Sequence, residues 1–379
     1  MITRQRLATY GIPTLATATV ITAALLHKKA EPPTYTQEPI GTYEVQPVGD
    51  HQIDVVFAVD TTGSMGGLLD GAKRTVWSIA SHIRKTDPDA DLRIGLVAYK
   101  DVGDEYVTKP YWLTSDLDAI YGELASYTAS GGNDTPEDVD AALDVAVHRM
   151  SWRSGAKKLL FVVGDAPPAS RGEVPNYVTT AREAAEQGIM INTIRCGFDS
   201  NTQLAFSRLA ELGRGEFSTI QQDGGVQQVA TPFDDQLAEI SAQIDDTVMV
   251  MGGEDARDRY RAKMAITAKA APAAKADRAS YYAKGGMARG GDDLVGGVAT
   301  GAVAIEAVPE AAMPADLKGM DKDEIKTEVN KRIEKRKALQ SKMADVAKQR
   351  DEYLKAHAAE GEGGFDAKVK TTVERQLKK

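Results

Sequence analysis

IDVVFAVDTTGSMGGLLDGAKRTVWSIASHIR, residues 53–84, changes its period halfway along. Residues 53–59 are a short, unbroken, β-branched apolar run, the pattern of a strand covered on both faces. A turn rich in glycine follows, with Gly63, Gly66 and Gly67. From Leu68 to Arg84 the apolar residues Leu69, Ala72, Val76, Ile79, Ala80 and Ile83 recur at helical spacing and make one stripe. Outward from this unit the alternation repeats. Strands are predicted over 92–99, 157–164, 189–195 and 215–220, with an edge strand over 106–113. Helices are predicted over 117–127, 137–150, 177–187, 202–212 and 233–244. The fold class expected is therefore α/β, a doubly wound and mostly parallel sheet with helices on both faces, spanning 51–250.

Such sheets bind ligands outside the carboxyl ends of their strands, where the strand order reverses. Asp60 and Asp165 each follow a predicted central strand directly. Two carboxylates drawn into one crevice are expensive unless a cation neutralises them or one is protonated. After Asp60 the turn Thr61-Thr62-Gly63-Ser64 offers hydroxyls at 62 and 64. A third loop, Ser130-Gly131-Gly132-Asn133-Asp134-Thr135-Pro136-Glu137, brings Asp134 or Thr135 to the start of a helix, as a cap or as a further ligand. Hydroxyls with few carboxylates suit Mg²⁺ or Mn²⁺ better than Ca²⁺, which takes more oxygens in a looser cage, although Ca²⁺ fits an all-oxygen set too.

These residues resemble the von Willebrand factor type A domain, whose metal-ion-dependent adhesion site combines an Asp-x-Ser-x-Ser loop with a Thr or Asp from a second loop and an Asp from a third. The resemblance implies that Asp60, Thr62 and Ser64 fill the first loop, Asp134 or Thr135 the second and Asp165 the third. It also implies Mg²⁺ bound partly through hydroxyls, its shell completed by an acidic group of a protein partner. Thr62 replaces the usual first Ser and keeps its hydroxyl, Gly164-Asp165-Ala166-Pro167-Pro168 replaces Thr-Asp-Gly, and the third loop lacks the integrin-like Thr, leaving the fourth ligand open. VVFAVDTTGSMGGL, LRIGLVAYKD and VVGDAPP resemble a bacterial branch of the family.

The remaining sequence bounds the setting. With 46 basic and 55 acidic residues among 379 the net charge is −9, which argues against coating nucleic acid and suits cations or basic partners. A single cysteine, Cys196, permits no internal disulfide, and the five histidines are scattered without a catalytic pairing. Arg4 and Arg6 precede about twenty uncharged residues, 7–26, closed by His27, Lys28 and Lys29. Residues 1–30 therefore read as a signal anchor or signal peptide, and 31–50, with four prolines, as a linker that holds the rest on the extracytoplasmic side of a cell envelope. Cleavage of the signal would release a secreted form. Residues 251–314 read as an Ala/Gly-rich connector, flexible or partly helical, and 315–379 as a helical charged tail, capped at Asp321 with Glu324 and striped by Ile325, Val329, Ile333, Leu339, Met343, Val346 and Leu354. The tail carries 17 basic against 13 acidic residues, whereas 51–250 carries 16 against 30.

The function expected is a membrane-tethered, Mg²⁺-dependent protein-binding module and not an enzyme. The alternative is a Mg²⁺-dependent phosphohydrolase or phosphotransferase with Asp60 as nucleophile, against which stand the absence of an Asp-x-Asp pattern and of an evident general base.

Overall fold

A computed structural model describes residues 51–132, 136–169, 171–226, 229–285, 289–357 and 363–378. The expected N-terminal span and its linker lie outside the described residues. Among those described, no helix is long and apolar enough to cross a membrane.

Six strands form one sheet: β1 (Gln52–Asp60), β2 (Asp91–Tyr99), β3 (Thr108–Thr114), β4 (Lys157–Gly164), β5 (Ile189–Cys196) and β6 (Arg214–Ile220), in the order β3-β2-β1-β4-β5-β6. All neighbours are parallel except the β2–β3 pair at the edge. From β1 the chain builds outward through β2 to β3, then returns to the other side of β1 with β4. The order thus reverses between β1 and β4, and the crevice above their carboxyl ends is the place where such a sheet takes a ligand.

One face of the sheet is covered by α1 (Gly66–Thr86), α2 (Leu117–Ser126) and α6 (Asp234–Asp245). The other carries α3 (Val139–Asp144), α4 (Tyr177–Glu186) and α5 (Ser200–Leu212). The stripe predicted for α1 is the buried one, and Trp77 from it stacks on Tyr121 of α2 with ring centroids 4.1 Å apart. Burying a large apolar side chain contributes about 1.5–3 kcal/mol, and β1 buries Ile53, Val55, Val56, Phe57, Ala58 and Val59 in a row. At the foot of the sheet the buried Asp54 carboxylate accepts from Arg93 at 2.7 and 2.9 Å and from Arg153 at 2.9 and 3.0 Å, joining β1, β2 and the segment before β4.

The helix expected over 137–150 is shorter and less regular. Asp138 caps it by accepting from the Ala141 amide at 2.9 Å, so α3 starts at Val139 and Glu137 is left outside. Its last residues, Val145–Arg149, widen into a π-turn, and the Trp152 indole donates to the Ala146 carbonyl there at 2.8 Å.

The stretch read as a connector is built into the fold. It forms α7 (Glu254–Thr267), α8 (Pro272–Lys284) and α9 (Leu294–Thr300). Ala274, Ala276 and Ala279 let α8 lie close to its neighbours, and Tyr281 and Tyr282 enter the same core as β1 and α1. Arg278, 3% exposed, is held by Asp118 of α2 at 2.7 Å and Asp245 of α6 at 2.7 Å. The capped helix foreseen after Asp321 is α10 (Lys322–Ala356), with both capping-box bonds present. Its first half buries Ile325, Val329 and Ile333 against Met249, Leu294, Val295 and Leu317, and its second half adds Met343, Val346 and Ala347 to the core under α6 and α8. A last helix, α11 (Phe365–Leu377), sets Phe365 on Phe57 at 6.1 Å and pairs Gln376 with Asn192 of β5.

Candidate metal centre at the carboxyl edge of the sheet

β1 ends on Asp60 and β4 on Gly164, so Asp60 and Asp165 face one another across the strand-order reversal. Gly164 keeps this approach open: a Cβ there would strike the Tyr99 hydroxyl and lie 3.4 Å from the Asp60 Cβ. Asp60 is fully buried. Its Oδ1 accepts from the Thr62 amide at 2.8 Å and the Thr62 hydroxyl at 2.6 Å, while its Oδ2 has no partner. The Thr62 hydroxyl lies 3.4 Å from that of Ser64, which is exposed at the mouth of the crevice. Burial pushes the Asp60 carboxyl up to about 7, with the facing Asp165 adding to the rise.

A third carboxylate joins them that sequence reading placed only as the start of a helix. Glu137 is excluded from α3 by the Asp138 cap and forms an isolated parallel bridge with Pro168, donating to the Pro167 carbonyl at 3.1 Å and accepting from Ala169 at 2.7 Å. Its side chain is 3% exposed and its Oε2 is unpartnered. Burial first, and then the negative charge of Asp60, raise it to about 8. Asp134 and Thr135 lie outside the described residues, but the chain on either side of them reaches the site. The Ser130 amide donates to the Thr61 carbonyl at 3.2 Å, Gly63 donates to the Gly131 carbonyl at 3.2 Å, and Gly132 rests against Thr62 and Glu137.

Two further groups set the walls. Gln222, in the loop after β6, donates to Asp165 Oδ2 at 2.5 Å and to the Ser64 carbonyl at 3.3 Å, tying the first and third loops together. Nothing in its local sequence marks it, because it is a polar residue in a polar turn far from Asp165 along the chain. On the other side, Asp101 pairs with Arg171, and Lys100 donates to the Ser130 carbonyl at 2.5 Å and hydroxyl at 2.7 Å. Cys196, at the end of β5, is buried, and its thiol is pushed well above its ordinary range by that burial, so it stays protonated. Trp77 and the ring of His148, which bridges Asp144 at 2.9 Å and Glu183 at 3.0 Å, are parts of the packing away from the crevice.

The site is thus a set of carboxylates and hydroxyls at a topological switch point. Among the described residues no three His, Cys, Asp or Glu side chains converge as a ready metal cluster, so Glu137 neighbours the Asp60–Asp165 pair without closing a three-carboxylate set. Residues 54–231 match the family described as von Willebrand factor A domain, and the central sheet of this chain is such a domain. The rat von Willebrand factor A domain-containing protein 7 is 34% identical over 112 residues, covering 30% of this chain and 12% of that protein. The alpha-protein kinase vwkA of Dictyostelium discoideum is 26% identical over 117 residues, covering 30% of this chain and 18% of that protein. The chain therefore spans less than a fifth of either relative. Among solved structures, the conserved hypothetical protein BatB from Bacteroides thetaiotaomicron aligns over 45% of this chain and 90% of its own at 17% identity and a TM-score of 0.35.

Proposed function

We propose that this protein is a divalent-cation-dependent protein-binding module rather than an enzyme. Asp60, Thr62, Ser64 and Asp165 would hold Mg²⁺, with Glu137 close behind and Asp134 or Thr135 completing the protein's share of the ligands. The observation that carries this is the orphaned oxygen of Asp60, fully buried, beside a second buried carboxylate whose Oε2 is also unpartnered. An uncompensated buried carboxylate is expensive, and a hard cation between Asp60 and Asp165 removes that expense. When bound, the cation offers a Lewis-acidic position to a carboxylate of a partner protein. The chain's own residues orient that encounter: Ser64 is exposed at the entrance, and the crevice is walled by Gln222 on one side and the Asp101–Arg171 pair on the other.

Against a phosphotransferase mechanism stands the enclosure of Asp60: Oδ1 is held by the Thr62 amide and hydroxyl and Oδ2 is buried, so neither oxygen is open to attack a substrate phosphorus. Tethering to a membrane by the N-terminal segment belongs to the same reading, and it would display the crevice on the extracytoplasmic side.

The test is titration calorimetry of Mg²⁺ into the full chain and into Asp60→Asn and Asp165→Asn. One site is expected in the native protein and none in either variant. Equal, stoichiometric uptake by all three would reject the assigned residues. Thermal melts supply a second readout: at a hundredfold excess over the dissociation constant, Mg²⁺ should add about 2.7 kcal/mol to the native protein and nothing to Asp60→Asn.

A further inference from the structure

Among the described residues four large apolar side chains stand exposed, and two of them, Phe198 and Val102, follow the carboxyl ends of β5 and β2, on the edge of the sheet that carries the crevice. Phe198 is 80% exposed, on the segment that leaves β5; Val102 is 54% exposed in the loop that leaves β2, on the far side of Asp60. Single exposed apolar residues are ordinary, but a pair on the edge that carries a binding crevice marks a contact surface.

The chain fixes Phe198 close to Asp165 from both sides. Gly197 before it lies against the Gln222 side chain that bonds Asp165 Oδ2. Asp199 after it accepts from the Thr202 amide at 2.7 Å, and the Thr202 hydroxyl donates to the Asp165 carbonyl at 3.0 Å. Leu204, two residues after Thr202 in α5, stands on the opposite, outer side of that helix and takes no part in this edge. Beneath the ring, the Arg195 guanidinium sits 6.0 Å from its centroid, anchored by the Asp199 carbonyl, Gln203 and Thr219. Phe198 is therefore propped outward on a rigid support instead of folding into the core. The charged groups around this shelf are mostly acidic: Glu105, Asp199 and Asp223 are exposed and Asp104 half-buried, while Arg171 is occupied by Asp101.

We infer that the Phe198 ring is an apolar shelf that selects the partner. The occupant is a peptide segment of a protein in which the acid that meets the cation has an aromatic or branched aliphatic residue beside it, for the shelf, and Lys or Arg in its flanks, for the acidic rim. The acidic rim disfavours an anionic lipid surface in the same place. This inference rests on the cation site proposed above.

The experiment uses an array of synthetic peptides varied around a fixed central Asp, probed with the full chain in Mg²⁺ and in EDTA, beside the variant Phe198→Ser. Mg²⁺ uptake by both proteins is measured by calorimetry. Expected is Mg²⁺-dependent retention of peptides with an apolar neighbour and a basic flank, with the variant binding the best of them roughly tenfold more weakly while taking up Mg²⁺ like the native chain. Unchanged ranking and affinity in the variant, or Mg²⁺ uptake without retention of any peptide, would overturn the shelf and leave the cation site standing. Failure of the native chain to take up Mg²⁺, or retention indifferent to EDTA, would overturn the cation site itself and the inference with it.

Discussion

Asp60 and Asp54 stand on the same strand and show how differently one side chain type is used. Burial alone would raise the Asp54 carboxyl, but the guanidinium groups of Arg93 and Arg153 outweigh it and hold the group below its ordinary value of 3.8. A lowered folded value means stability that is present above the unfolded value and lost as pH falls below about 4. Replacing Asp54 by Asn leaves two guanidinium groups facing a neutral amide and should lower stability at pH 7 by about 3–5 kcal/mol in urea melts, while flattening the acid limb of the native profile. Asp60 has the opposite surroundings, acids without a cation, which is why it is read as a binding group. Gly132 decides how closely the third loop meets it. With φ +74° and an added Cβ placed 2.8 Å from the Thr62 Cβ, Gly132→Ala should destabilise the protein by about 1–3 kcal/mol and weaken Mg²⁺ uptake, as melts and calorimetry would register. Asp60, Thr62, Ser64 and Asp165 were legible as candidates because strand ends are legible. Glu137 and Gln222 were not, because their place depends on a capping bond and on a contact between loops 57 residues apart in sequence.

At the scale of elements, periodicity announced the parallel strands and the helices between them, since apolar runs and stripes are what burial on a sheet requires. It also announced α10 by its capping box and stripe. The part whose packing it left open was α8, where the buried surface is mostly alanine. Small side chains carry little hydropathy, yet they let helix axes approach closely, and the two tyrosines then supply the area. The last helix shows how an element remote in sequence reaches the site. The Phe365 amide donates to the Gly224 carbonyl at 2.8 Å, in the same turn as Gln222, so α11 clamps the loop that holds Asp165. Phe365→Ala removes a ring packed on Phe57 and should lower stability by about 3–5 kcal/mol by chemical denaturation. Amide exchange over residues 221–226 should quicken with it. Unchanged exchange there would show that the loop is held by its own turn alone.

For the whole molecule, the decisive fact is that the C-terminal helices share their core with the sheet. Tyr281 and Tyr282 of α8, Met343 and Val346 of α10, and Phe365 and Val369 of α11 belong to one continuous apolar cluster with β1, β4 and α1. Arg278 adds a polar tie, since Asp118 of α2 and Asp245 of α6 depend on it for charge compensation. Arg278→Ala would leave Asp118 buried without that partner and Asp245 with Arg289 alone, and should lower stability by about 3–5 kcal/mol. Sequence reading divided this stretch into sheet, connector and tail, because composition shifts at Gly252 and again beyond Ala315, and composition says nothing about which surfaces meet. Two expectations follow for unfolding. If the tail were a separate unit, the part of the far-UV circular dichroism that comes from α10 and α11 would fall before the fluorescence of Trp77, which is stacked inside the face under α1 and α2. A shared core instead requires both signals to vanish in one transition with a common midpoint, and Mg²⁺ to shift both by the same amount. Separated midpoints, with only the Trp77 signal responding to Mg²⁺, would show that the helices after α6 are held on the sheet too weakly to unfold with it.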